Sequence, residues 1–358
     1  MEYKRLGDFI KEVNVRNRDL KVTKPMGINI DKHFMPSVAN VIGTDLSAYK
    51  LVSRNQFACN LMHVGRDEKI PMAMHIGVNP IIVSPAYFVF EITQTKLLLP
   101  DYLMMWFRRP EFDRNAWFYT DADVRGGMNK ESLMDMKLPI PSFTCQHEIV
   151  EEYETLSRRI SLNKQMIQNL EATAQALYRK MFVDDIDKEN LPKSWRMGTL
   201  GEIADISSGK TCSDKVDKKE PPYNYPVAGA SGIIGYSSAY NCEEQVMTTG
   251  RVGTLGVVNK YKGRVYMADN VLVIKSQYYG YCYQILQLLD YNEITKGGVQ
   301  SLITQTDLKA VEIIIPDGMA IMNYENTVYS LFEMIATKQQ ENSKLTELQS
   351  LLLARMGQ

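Results

Sequence analysis

A chain of 358 residues with 45% apolar side chains is long enough for two or three domains with buried cores. Its net charge of −1 at pH 7 excludes recognition of a polyanion by overall charge, so any nucleic-acid contact must rest on local patches. The five cysteines (Cys59, Cys145, Cys212, Cys242, Cys282) form no C-x-x-C pair, which argues against a zinc site or disulfide framework and for a reducing compartment.

The N-terminal stretch "MEYKRLGDFI" is charged and lacks an apolar signal core, and no apolar run reaches the roughly 18 residues of a membrane span, so a cytoplasmic protein without membrane contact is expected. The first globular body is mixed α/β. "QFACNLM", "PIIVSPAYFVFEI" and "MKLPIP" are rich in β-branched and aromatic residues and predict strands. "LPDYLMMWFRRPEF" predicts a short helix.

After Pro139 and Pro141 a long helix is expected over 146–182, with Thr144 as its N-cap. Its seam runs through Ile149, Tyr153, Leu156, Ile160, Asn163, Ile167, Leu170, Ala174, Leu177 and Met181. The alternating steps of four and three are the 3.5-residue period of a coiled-coil seam. "VDDIDKENLPKSW", at 183–195, is acidic, polar and contains Pro192, and reads as an exposed linker.

The second half repeats the first. Leu200-Gly201 answers Leu6-Gly7 at an offset of 194, and the offset is 175 at the far end, where Pro316 answers Pro141. "QVMTTG", "GTLGVVNKY", "RVYMADNVLVIK" and "AVEIIIP" predict strands, and "GYCYQILQLLDY" a helix in the place of the earlier short one. A second long helix is expected over 321–356, with Asp317 as N-cap and Gly357 as its stop. Its seam falls on Tyr324, Val328, Leu331, Ile335, Lys338, Asn342, Leu345, Gln349, Leu352 and Met356. Asn163, Lys338, Asn342 and Gln349 put polar groups where Leu or Ile would bind harder. Two readings follow: the second helix is simply more exposed, or the two helices pair antiparallel within the chain, which is favoured.

Familiar catalytic signatures fail on inspection. "SSGKT" at 207–211 ends like a phosphate-binding loop, but position 204, where the pattern needs glycine, is Ala204. "GRVGTLG" has the wrong spacing for a dinucleotide loop and sits between strands, as a tight hairpin would. "VNPIIVSPAY" lacks the aromatic residue of an amino-methyltransferase motif. His33, His63, His75 and His147 show no metal-ligand or triad spacing. Cations remain. Between Gln245 and Lys275 lie Arg251, Lys260, Lys262, Arg264 and Lys275 against the one carboxylate Asp269, and Lys210 precedes them. The equivalent segment of the first body holds Arg54, Asn60, His63, Arg66, Lys69 and His75. Such residues neutralise phosphates and read base edges, although a solvated charged face has a similar composition.

Taken in order, "W…LGEIADISSGKT", "FACNLMHVGRDEKIPMA…VSPAYFVFEI", "GRVGTLGVV…ADNVLVI" and the two proline-bounded helices ending "LYRKMF" and "LLLARM" resemble the specificity (S) subunit of type I restriction–modification systems. The resemblance spans essentially the whole chain. It implies a mixed α/β (α+β) fold with an internal pseudo-two-fold repeat, in which two target recognition domains are separated by two long helices packed as an antiparallel coiled coil. The implied boundaries are recognition domain 1–144, spacer helix 145–182, linker 183–194, recognition domain 195–318 and spacer helix 319–358.

It implies no enzyme activity and no cofactor in this chain. Instead the subunit would bind double-stranded DNA, one domain per half of a bipartite asymmetric target, and dock methyltransferase (M) subunits, two of them expected, with restriction/translocase (R) subunits joining. Arg54, Asn60, His63, Arg66, Lys69, Lys210, Arg251, Lys260, Lys262 and Arg264 are the expected DNA-binding residues. A helix of about 35 residues is roughly 50 Å long, long enough to hold two modules over major grooves roughly 34 Å apart. The competing reading is a non-catalytic coiled-coil scaffold that docks proteins and does not bind DNA.

Overall fold

Both halves of the chain build a matching pair of sheets, the second sheet having four strands in the first half and three in the second. The computed structural model describes residues 3–38, 43–62, 64–120, 126–252, 255–295 and 302–357, without the side chains of residues 65 and 66. The chain divides into two compact units, residues 1–163 with 340–358 and residues 164–339.

In the first unit, Tyr3–Arg5 pairs antiparallel with Lys137–Pro139. One four-stranded sheet runs in the order Ile10–Glu12, Phe88–Ile92, Phe57–Cys59, Met72–Met74. The other runs Phe34–Pro36, Pro25–Ile28, Ile81–Val83, Lys50–Val52, with its two middle strands parallel.

The second unit repeats this. Arg196–Thr199 pairs with Glu312–Ile315. Asp205–Ser208, Val271–Lys275, Val246–Gly250 and Asn259–Tyr261 form the four-stranded sheet in the same relative order. Gly232–Ser237, Tyr225–Gly229 and Tyr266–Met267 form the other, again with a parallel pair. Single hydrogen bonds fix the correspondence. The Tyr102 hydroxyl donates to the Pro139 carbonyl, and that of Tyr281 donates to Ile314. Met128 N donates to Leu61 O, and Ile303 N donates to Arg251 O. The acceptor Ile314 and the donor Ile303 each lie 175 residues beyond their counterparts.

Aromatic rings fill each core. In the first unit Phe57 stacks on Phe90 at 5.1 Å, and the Phe107 ring meets both edge-on from the helix Pro100–Phe107. In the second unit Phe182 of the first long helix packs within 5.5 Å of Tyr281 and Tyr324. Each such ring contributes about 1.5–3 kcal/mol on burial, so the long helices are integral to both cores.

The first long helix is Phe143–Phe182 and the second Gly318–Arg355. All twenty seam positions read from the sequence are buried or half-buried. Within the first unit, Val150 shares a core with Leu353 and Met356, Gln349 Nε2 donates to Ser157 Oγ at 2.7 Å, and Asn163 Nδ2 donates to Asn342 Oδ1 at 3.0 Å. As one helix advances the other retreats, so they are antiparallel there. Within the second unit the Tyr324 hydroxyl donates to Ala174 O, in the same sense. Asn163 and Asn342 thus partner one another across the pair, and Gln349 finds Ser157 beside the facing seam.

The structure corrects several local expectations. Thr144 lies inside the first long helix, and Ser142 caps it, its Oγ accepting from Cys145 N. Asp317 caps the second helix as expected, accepting from Ala320 N at 2.9 Å. The helix expected over "LPDYLMMWFRRPEF" is two, Pro100–Phe107 and Pro110–Phe118, because Pro110 cannot continue one helix but suits the first turn of the next. "PIIVSPAYFVFEI" and "RVYMADNVLVIK" each break into two strands belonging to different sheets. Of "GTLGVVNKY" only Asn259–Tyr261 is a strand, while residues 253–254 lie outside the described residues. Gly209 of "SSGKT" has a packing role: a Cβ there would collide with the backbone oxygen of Ala268.

Candidate nucleic-acid interface

The cationic segments of both bodies follow the same strand, the third in order of the first-named sheet. In the first body that strand is Phe57–Cys59, and the chain leaves it through a turn at Asn60. Asn60 Oδ1 accepts from Met62 N at 3.0 Å, so this side chain shapes the turn. The short helix Val64–Asp67 follows. Ile70 N donates to Asp113 Oδ1, whose carboxylate also holds the buried Lys32 ammonium at 2.6 Å, and this pins the segment to the helix Pro110–Phe118.

Lys69 is half-buried beside that anchor, and Arg54 stands exposed on the turn before the strand. Neither makes an ion pair or side-chain hydrogen bond with a described residue. His63 and the Arg66 side chain lie outside the described residues.

In the second body the equivalent strand Val246–Gly250 leads into Arg251. Arg251 is half-buried, with one guanidinium nitrogen 3.4 Å from Asp269 O and Nε without a partner among the described residues. Lys262 and Arg264 flank a turn made possible by the positive φ of Gly263 (95°). Lys262 is exposed and 3.7 Å from Glu333. Arg264 pairs with Glu243 at 2.8 Å and lies over the Tyr240 ring, which packs on Tyr225. The Glu243 contact raises its pKa further. Lys210 is exposed and unpaired among the described residues.

Lys260 points inward: its ammonium lies 4.3 Å from the Tyr283 ring centroid, 5.1 Å from that of Phe332 and 3.5 Å from Glu171. Burial lowers its pKa despite Glu171. The expected residues therefore do not form one surface of equals. Among the described residues Arg54 and Lys210 are unpaired cations, Lys262 and Arg264 are exposed but paired, and Asn60 and Lys260 serve the fold.

Three cations of the second body escaped the sequence reading. Lys215, Lys218 and Lys219 are exposed and unpaired among the described residues, on the loop after Lys210. Asp214 shapes that loop by accepting from the Ser237 and Ser238 hydroxyls and Ser238 N, and those bonds, Ser238's first, hold its carboxyl below the usual range. In sequence, "SDKVDKKE" alternates in sign and reads as a solvated run. Only its attachment to the strand Gly232–Ser237 marks it as a fixed presentation of charge.

Comparison with known proteins bears on these two bodies. Residues 192–345 match the domain model described as Type I restriction modification DNA specificity domain. The chain is 22% identical to the type I restriction enzyme HindI specificity subunit of Haemophilus influenzae, over 77% of this chain and 80% of that one. It is 21% identical to the MjaIX specificity subunit of Methanocaldococcus jannaschii, over 65% of this chain and 64% of that one. The fold matches the crystal structure of the type I restriction–modification S subunit from M. genitalium with a TM-score of 0.59 at 12% identity, covering 100% of this chain and 96% of the other. With two bodies of matching topology and an antiparallel helix pair, the chain carries a type I restriction modification DNA specificity domain over residues 192–345 and is similar along most of its length to type I specificity subunits.

Proposed function

We propose that this chain is the non-catalytic, sequence-specific DNA-recognition subunit of a type I restriction–modification complex. It reads a bipartite, asymmetric double-stranded target with one body per half-site, residues 1–144 and 195–318. It docks two methyltransferase subunits, and restriction/translocase subunits join through that assembly. The observation that carries this reading is the duplicated topology with unlike loops: the same strand order ends in Val64–Asp67 and Lys69 in one body and in Arg251 and the Lys210–Lys219 loop in the other. Two scaffolds of one design with different side chains at equivalent places suit two unrelated half-sites.

Arg54, Lys69, Lys210, Arg251, Lys262 and Arg264, with His63 and Arg66, are the proposed DNA contacts, and Lys215, Lys218 and Lys219 join them. Asn60 and Lys260 support the surface from beneath. The test is duplex binding by the assembled complex. Arg54→Ala and Lys210→Ala should each weaken binding and lower the slope of log affinity against log salt by about 1. Unchanged affinity and slope in both variants would favour a protein-docking scaffold.

A further inference from the structure

The first unit contains a cavity of about 500 Å3 between the loop at Lys32–Phe34, the strand Met72–Met74, the helix Pro100–Phe107 and the first long helix. The second unit has no need of such a space, because its own side chains fill it. The matched Tyr102 and Tyr281 hydrogen bonds align Met104 with Tyr283, and the 175-residue offset aligns Ser157 with Phe332. The cross-strand partners Phe57–Met74 and Met247–Lys260 align Met74 with Lys260. In the second unit the Tyr283 and Phe332 rings meet edge-on at 5.7 Å with the Lys260 ammonium over both. In the first unit those three places hold two methionines and a serine, so the space of two rings is left open.

What surrounds that space suits a planar polar guest. Phe34, His75 and Tyr153 are among its walls, and His75 is held by its Nε2 contact to Asn79 O at 2.7 Å. Burial, and then the nearby Arg108, lower the His33 pKa, so this wall is a neutral imidazole at pH 7. Arg108, Asp101 and Glu154 also line the cavity, and none makes an ion pair or side-chain hydrogen bond with a described residue. An aryl-sized gap whose polar side holds the Arg108 guanidinium, 5.9 Å from the Tyr153 ring centroid, and two carboxylates without an ion pair among the described residues matches a base edge carrying both acceptors and donors.

We propose that this cavity binds a purine base, guanine above all, with Arg108 donating to O6 and N7 and Asp101 or Glu154 accepting from N1–H and the exocyclic amine. The base can come from a free nucleotide or from an extrahelical nucleotide of a nucleic acid. The assignment does not depend on the proposed DNA-recognition role.

Calorimetric titration of the full-length chain tests it, with GMP, CMP, L-tryptophan, a perfect DNA hairpin and the same hairpin carrying one bulged guanine. Saturable one-to-one binding of GMP but not CMP supports the free-nucleotide source. A preference for the bulged over the perfect hairpin, without GMP binding, supports the extrahelical source. Either signal should fall at least about tenfold in Ser157→Phe, which copies the filled unit, and in Arg108→Gln, which adds no bulk, removes the fork donor together with its contact to the Tyr153 ring, and decides the matter if the first variant misfolds. No GMP binding together with no bulge preference overturns the proposal. So does binding unchanged in the folded variants, equal binding of CMP, or binding of L-tryptophan in place of GMP.

Discussion

Asn163 is 2% exposed, and its amide donates to Asn342 across the helix pair. A buried amide without its partner costs about 1–3 kcal/mol, whereas removing both partners together can be nearly neutral. Asn163→Ala should therefore lower the stability of the first unit by about that amount in urea titration, while Asn163→Leu with Asn342→Leu should recover most or all of the loss. A double variant as unstable as the sum of its single changes would remove the pairing from the account. Gly209 sharpens the same scale. A Cβ there meets Ala268 O and Met267 O, both backbone atoms that side-chain rotation cannot move. Gly209→Ala should cost more than about 2 kcal/mol. Gly318→Ala, with open space around it, should stay within about 0.5 kcal/mol, and thermal melts of the two variants separate the cases.

At the scale of elements, the long helices were legible because a seam is a periodic property of sequence. Every seam position proved at least half-buried, and Asn163, Asn342 and Gln349, which admitted two readings, proved to have partners in the helix pair. The strands were legible only in part. "PIIVSPAYFVFEI" is one apolar run in sequence, yet the turn at Ser84–Tyr87 sends its halves to different sheets, a decision made by tertiary packing. Pro25–Ile28 and Gly232–Ser237 were missed because neither sequence shows a clear two-residue alternation of apolar and polar side chains: the first is half-buried throughout, and the buried residues of the second are Gly235 and Ser237.

The caps show how fine the limit is. Thr144 and Ser142 are both good cap residues two positions apart, and sequence could not choose between them. Asp317 was legible, and it has a second partner that was not, Trp195 Nε1 at 3.0 Å. Bonds from Ala320 N and Trp195 depress its pKa below the ordinary carboxylate value. A depressed acid stabilises the fold above its unfolded pKa and loses that contribution as pH falls through the folded one. Asp317→Asn should thus reduce stability at neutral pH and flatten the loss below about pH 4, the model-peptide value for aspartate. A variant with the wild-type acid limb would show that the carboxylate is not what titrates there.

At the scale of the whole molecule, the proposed DNA contacts were the least legible part, because a cation's availability depends on what lies opposite it in space. Lys260 and Lys262 are two positions apart on one strand and its turn, yet one is packed on aromatic rings and the other is exposed. The arrangement that sequence did disclose is modular, and it supports a sharper prediction. The second body begins and ends at one place: Trp195 bonds to Asp317, and Arg196–Thr199 pairs strand to strand with Glu312–Ile315. A segment whose ends are stapled together in this way can be replaced without dragging its neighbours out of register. Exchanging residues 195–318 for the corresponding body of another specificity subunit, while keeping 1–194 and 319–358, should leave the first unit's core and its Asn163–Asn342 pair unaltered. Under the proposed function, sequencing the methylated bases in cells carrying the exchanged chain should show one half of the motif replaced and the other retained. Alteration of both halves would mean that the two bodies read the target jointly, and that the repeat seen in the strand order is structural without being a division of recognition.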